Sequence, residues 1–234
     1  MPTLAIMGTV ILVRHGRTAA NARGILAGRS AGVALDATGR AQAERMAERL
    51  AAVPLVRVVS SPLERCRETS RAILARQQDA PGLSIERGIT ECDYGDWQGR
   101  PLSELARESV WAQVQRNPAS VVFPGGESMA GMQARAVAAI RRHDEALTAQ
   151  HGPGAVWAAV SHGDLIKSIL ADALGMHLDL FQRIYVGPAS VSIVRYGTGH
   201  PEVLVTNTDA GDLSWLGRST PQTDVPVGGG ADTH

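Results

Sequence analysis

Val10-Ile11-Leu12-Val13-Arg14-His15-Gly16-Arg17-Thr18 is an apolar run that stops abruptly at a cation, an imidazole and a glycine. A short apolar run closed by a turn signal reads as a strand buried on both faces, the kind found in the middle of a parallel sheet. In open α/β sheets the ligand lies beyond the carboxyl ends of the strands. Arg14 and His15 therefore stand where chemistry is done. The competing reading is a strand end with an exposed arginine and a solvated histidine.

Working outward, the same pattern recurs. Val56-Arg57-Val58-Val59 is a second strand, followed by Ser60-Ser61-Pro62-Leu63-Glu64-Arg65. There Ser61 suits an N-cap, Pro62 a first helical position and Glu64 a capping box, which predicts a helix to about Gln78 with Arg65 near its first turn. Val156-Trp157-Ala158-Ala159-Val160 is a third buried strand, ending at Ser161-His162-Gly163 before a helix over 164–174. Further helices are expected over 40–52 (N-cap Thr38), 101–115 and 128–149, a short strand over 83–85, and a closing strand pair near 190–196 and 202–206. Thr18 to Leu35 reads as a loop, long enough to suggest a functional role. The order predicts an α/β fold, a three-layer α/β/α sandwich around a mostly parallel, mixed central sheet.

The chain has 234 residues, 44% hydrophobic and 20% charged, with a formal net charge of zero. Residues 1–217 read as a single catalytic domain and 218–234, rich in Gly, Pro and Thr, as a disordered tail. Zero net charge argues against nucleic acid or an anionic membrane as the main partner. Lysine is almost absent; arginine, with its bidentate fork, carries nearly all the positive charge. The two cysteines, Cys66 and Cys92, make no disulfide framework. With no secretory signal pattern or long apolar span, a cytoplasmic protein is expected. An exposed sheet edge could pair two chains as a homodimer, though nothing demands it.

If the buried strands are parallel neighbours, Arg14, His15, Arg65 and His162 meet at one sheet edge with two helix N-termini, a pocket suited to a phosphate dianion. No Gly-rich loop followed by Lys-Ser/Thr is present, and no carboxylate or histidine cluster has metal-ligand spacing, so no metal or cofactor is expected. A neutral imidazole can attack phosphorus and form a phosphoenzyme; His15 is the better nucleophile candidate, His162 a donor to the transferring oxygens, and Glu91 a proton source for the leaving oxygen.

These segments resemble the histidine phosphatase superfamily, in its phosphoglycerate mutase-like branch. Val13-Arg14-His15-Gly16-Arg17-Thr18 with Asn21 resembles its Arg-His-Gly signature, and Ser60-Ser61-Pro62-Leu63-Glu64-Arg65 its second arginine motif, with Cys66 where alanine is usual. Glu91 with Gly95, Trp97 and Gly99 resembles its acid loop, Gln98 replacing the usual Glu; Pro124-Gly125-Gly126-Glu127-Ser128 and Ser161-His162-Gly163 complete the set. The resemblance implies a phosphohistidine on His15, phosphate binding by Arg14, Asn21, Arg65, His162 and the Gly163 N–H, and proton donation by Glu91. Arg17 departs from the pattern and is expected to add positive charge at the pocket rim. Gly28-Arg29-Ser30-Ala31 replaces a Gly-x-x-Asp pattern, which puts substrate contacts from that loop in doubt.

Only 36 residues separate Glu91 from Ser128 and none form an adjacent arginine pair, which favours a phosphatase on a small phosphorylated metabolite over a cofactor-dependent mutase. A non-catalytic phospho-ligand binder is the alternative of a different class. The loop 23–33 and the segment 102–123 are expected to wall the pocket. Tyr94 and Trp97 are expected to pack their loop down, Trp111 and Trp157 to be core, Cys66 and Cys92 to be buried filler, and Asp164 to cap its helix.

Overall fold

The computed structural model describes residues 8–79, 81–197 and 200–209. The expected tail and the end of the expected domain lie outside these residues. Six strands form one sheet: β1 (Thr9–Arg14), β2 (Arg57–Ser60), β3 (Gly82–Ile85), β4 (Val156–Ser161), β5 (Val191–Arg195) and β6 (Glu202–Thr208), in the order β3-β2-β4-β1-β5-β6. β1 to β4 run parallel, while β5 is antiparallel to β1 and β6 to β5. β1 and β2 are therefore not neighbours, because β4 lies between them.

The apolar run of β1 divides by the two-residue period of a strand. Val10 and Leu12 face one layer with Val59, Trp157 and Ala159; Ile11 and Val13 face the other with Val58, Ala158 and Val160. Both faces are dry, as an all-apolar central strand requires. The second layer holds α2 (Ala37–Leu50) and α3 (Glu64–Arg76), packed through Ala43, Met46, Ala47, Leu50 and Ile73. The first holds α6 (Met129–His151) and α7 (Gly163–Ala173), with Met132, Ala136, Ile140, Ile166 and Leu170 against the sheet. Among the described residues no helix is long and apolar enough to cross a membrane.

Several boundaries differ from the sequence reading, each for a local reason. The segment 18–35 contains a four-residue helix, α1 (Ala19–Ala22), closed by a reciprocal cap between Thr18 and Asn21. α2 starts early because the Asp36 carboxylate, not Thr38, accepts from the Gly39 N–H at 2.7 Å. The expected helix 101–115 is two, α4 (Leu102–Leu105) and α5 (Ser109–Arg116). Leu105, Trp111 and Val114 are all buried in one layer. In an unbroken helix, at 3.6 residues per turn, Leu105 and Trp111 would lie about 120° apart; the break re-phases them. α3 begins at Glu64 after Leu63, with no side-chain cap, because Ser61 is committed elsewhere.

The turn after β1 sits backbone to backbone on the start of α2. A Cβ built on Gly16 would meet the Gly39 backbone, and one on Gly39 the backbone of Arg17. This contact anchors the segment carrying His15. Gly39→Ala is expected to destabilise by roughly 1–3 kcal/mol, an overpacking cost, lowering Tm by roughly 2–4 °C per kcal/mol. Thermal unfolding with a parallel activity assay checks it; unchanged Tm and activity would mean the contact anchors nothing.

Candidate active site

The β1–β4 register pairs Arg14 with Ser161, so the residues that follow, His15 and His162, leave the sheet side by side. Their rings meet edge to face with centroids 5.3 Å apart. Arg65 comes from the first turn of α3. Its Nε donates to His15 Nε2 at 3.1 Å and its Nη2 to His162 Nδ1 at 3.2 Å and to the Gly28 carbonyl at 2.8 Å. Glu91 brings Oε2 to 3.7 Å from His162 Nδ1. His15, Arg65, Glu91, Thr18 and Asn21 line one cleft.

An arginine can only donate, and that assigns both tautomers. His15 accepts at Nε2, so its proton is on Nδ1 and is donated to the Gly16 carbonyl at 2.7 Å. The Nε2 lone pair, on the cleft side, is the one that accepts from Arg65 Nε. His162 accepts at Nδ1, so its Nε2–H is donated to Ser61 Oγ at 2.8 Å. That bond explains the missing cap on α3: Ser61 reaches the Leu63 N–H only at 3.4 Å. Burial and then the Arg65 cation hold both imidazoles well below the usual histidine value, so both are neutral near pH 7.

Glu91 is shifted the other way. Burial, then the negative charge of Asp164, raises its carboxyl to about 7. Its Oε1 accepts from the Cys92 N–H at 2.9 Å. Its backbone carbonyl is gripped by Arg29 Nε at 2.8 Å and Arg135 Nη2 at 3.1 Å. Both arginines are in turn held by Glu127, at 3.0 and 2.6 Å. The Pro-Gly-Gly-Glu turn thus serves to clamp the acid loop. No sequence pattern assigned Glu127 or Arg135 that role, since the partners lie far apart in the chain. Arg29, expected on the pocket wall, belongs to this clamp.

The other expected residues divide. Arg14 is fully buried, donates to the Val186 carbonyl at 2.7 Å and does not line the cleft. Its cation contributes to lowering both histidines. Asn21 lines the cleft, and its Oδ1 accepts from the Thr18 N–H and Oγ1. Gly163 opens α7 directly after His162, behind the cleft lining. Arg17 adds no free rim charge, because Asp36 pairs with it at 2.8 Å. Of the expected wall, Ile25, Leu26 and Leu102 face the cleft, while Trp111 and Val114 are core. Tyr94 and Trp97 are buried, as expected for residues that pack their loop.

Asp164 does not cap α7; it is buried, accepts from Tyr94 OH at 2.9 Å and lies 3.7 Å from Lys167 Nζ. Cys66 and Cys92 are buried, Cys66 with Sγ 3.5 Å from His162 Nε2 and its thiol pushed up to about 12 by burial. That suits filler, not a reactive thiolate. Among the described residues no cluster of His, Cys, Asp and Glu has a metal-holding arrangement.

Similarity to known proteins follows the same ground. A 127-residue stretch is 35% identical to "Fructose-2,6-bisphosphatase TIGAR" of Xenopus tropicalis, covering 53% of this chain but only 46% of the frog protein. A longer match, 31% identical over 191 residues, covers 80% of this chain and 84% of "Probable phosphoglycerate mutase GpmB" of Yersinia enterocolitica. The structure of the alpha-ribazole phosphatase from Shigella flexneri superposes with a TM-score of 0.74 at 25% identity, covering 86% of this chain and 97% of that one. The family model described as histidine phosphatase superfamily (branch 1) matches residues 10–209, from β1 through β6. With the paired histidines, the bridging arginine and this match over most of its length, the chain belongs to the histidine phosphatase superfamily, branch 1.

Proposed function

We propose that the protein is a metal-independent phosphomonoester hydrolase that works through a phosphohistidine on His15. The observation that carries this reading is the neutral His15 ring, with Nδ1–H tied to Gly16 and Nε2 turned toward the cleft. Nε2 gives up the hydrogen bond from Arg65 Nε and attacks phosphorus, the freed N–H turns to a transferring oxygen, and the ester oxygen leaves with a proton from Glu91. Water then attacks the phosphohistidine, with Glu91 now taking the proton, and phosphate departs. Arg65 holds the transferring oxygens; its Nη1 is buried with no hydrogen-bond partner among the described residues, a donor suited to an anion. In the tautomer set by Arg65 and Ser61, His162 carries no proton on Nδ1, so donation from Nδ1 requires a second proton. A bound dianion favours the imidazolium and supplies the reason to take one.

A mutase is the second reading, favoured by the name of the Yersinia relative. A mutase must also hold the non-transferred end of an acidic substrate. Arg65, already engaged with both histidines, is the one cation on the described cleft lining. The phosphatase reading stands first on that ground. Phosphate release from p-nitrophenyl phosphate in the presence of a chelator supports it; efficient bisphosphate-primed isomerisation of 3-phosphoglycerate reverses the order.

His15→Ala is expected to lose both turnover and the acid-quenched phosphoprotein, since no other group supplies the nucleophile. A retained phosphoprotein would move the nucleophile elsewhere, and a wild-type enzyme that binds vanadate but forms none would be a binder. Arg65→Ala is expected to slow turnover ~10²–10³-fold through lost charge stabilisation. For alkyl phosphates, whose leaving groups need a proton, activity should fall as pH rises through about 7, where Glu91 loses its acid form. Glu91→Gln should slow alkyl esters by ~10²–10⁴-fold and nitrophenyl esters far less; equal slowing of both removes Glu91 from the acid role.

A further inference from the structure

Ser61 precedes α3 in a sequence suited to a helix cap, yet the helix takes no side-chain cap. A serine cap ordinarily stabilises a helix, so forgoing it calls for a bond made elsewhere. That bond runs to His162, whose Nε2–H is donated to Ser61 Oγ at 2.8 Å. The sheet fixes both partners. Ser60 pairs with Val160 in the β2–β4 register, the Ser61 N–H donates to the Val160 carbonyl at 3.0 Å, and the Ser60 hydroxyl donates to the Ser61 carbonyl at 2.8 Å. Ser61 and His162 are both fully buried. Cys66 Sγ, also near that nitrogen, is 3.5 Å away and a weak acceptor. On the other side of the ring, Nδ1 meets Arg65 Nη2 at 3.2 Å and lies 3.7 Å from Glu91 Oε2, and both of those residues line the cleft. The imidazole thus has one nitrogen committed to the interior and one beside the cleft residues.

We propose that Ser61 is a positioning residue, which by accepting the Nε2 proton holds His162 with a bare Nδ1 beside Arg65 and Glu91, so that a second proton enters the ring on that side alone. The inference rests on the phosphatase reading for its catalytic meaning and adds to it a residue outside the cleft lining. Which imidazole nitrogen carries the proton is set by the bond the other makes. When a phosphoryl group is bound, one proton drawn from water enters Nδ1, and Arg65 Nη2 leaves that nitrogen for the oxygens of the anion. The ring is then an imidazolium, and the bond to Ser61 Oγ becomes charge-assisted and stronger. Ser61 therefore favours the charged ring at the stage where the anion needs it. Without the hydroxyl, the buried Nε2–H loses its strong acceptor. The neutral ring then gains by moving its proton to Nδ1, toward Glu91, at the expense of the Arg65 bond.

The test reads the ring directly. In ¹⁵N NMR of histidine-labelled, ligand-free wild type, His162 should show a pyrrole-type Nε2 and a pyridine-type Nδ1, its signals assigned by their loss in His162→Gln. Ser61→Ala should mix or reverse that pattern. It should also weaken vanadate binding and lower kcat for nitrophenyl phosphate by ~10- to 100-fold, the range for one hydrogen bond to a charged group. Ser61→Thr, which keeps the hydroxyl, should restore the wild-type pattern. Ser60→Ala removes the neighbouring buried hydroxyl and should leave the pattern alone. A wild type with its His162 proton on Nδ1 overturns the inference without any variant. So does a wild-type pattern with undiminished vanadate affinity in Ser61→Ala, or an equal change in Ser60→Ala, which would make the effect one of general packing. Each of these leaves the phosphatase intact. A wild-type enzyme that binds vanadate but forms no phosphohistidine overturns the phosphatase reading, while the ligand-free pattern still decides what Ser61 does.

Discussion

The Arg65 guanidinium donates to both imidazoles at once, and the rest of the site takes its geometry from that bridge. A donor with no acceptor capacity forces each ring to present a lone pair to it. The opposite nitrogens must then find acceptors, which Gly16 and Ser61 provide. Three backbone features make the bridge possible. The β1–β4 register sets the two histidines side by side, the uncapped start of α3 sets Arg65 in its first turn, and the Gly28 carbonyl accepts the second N–H of Arg65 Nη2. Removing the arginine would therefore cost orientation as well as charge.

The same cation is uncompensated by a close carboxylate. Glu91 is near, but burial and Asp164 make it reluctant to ionise at neutral pH. Burying positive charge without a partner is costly. A dianion relieves that cost where a neutral ligand does not. Glu91 is held by its backbone through the Arg29–Glu127–Arg135 clamp, leaving its carboxyl free of any strong ion pair that would keep it ionised. A carboxyl raised to about 7 thus goes with a main chain held by two arginines and a side chain held by the Cys92 N–H.

The parallel sheet and the delivery of His15, Arg65 and His162 to one edge were legible because apolar runs of four or five residues stop at polar residues at fixed places. Strand order was not, since a hydrophobic run does not say which other run it pairs with; β4 lies between β1 and β2. The Ser61 cap failed because a local signal competes with long-range bonding, and the buried His162 N–H took the hydroxyl. Arg14 and Arg17 illustrate the same limit. Both are cations beside His15 in the chain, yet one is tied to a backbone carbonyl in the interior and the other to the aspartate that caps α2. Glu127 left no trace in the sequence beyond its motif and Arg135 none at all, because the clamp exists only once α6 packs against the loop of Glu91.

Lys167 is the chain's sole lysine, and it is 1% exposed, bonded to Gln182 and close to Asp164, with burial lowering its basicity. Amine-directed reagents therefore find no exposed lysine side chain in the native state. Acylation at Lys167 becomes a covalent record of how often the layer behind the histidines opens, read residue-specifically without any engineered probe.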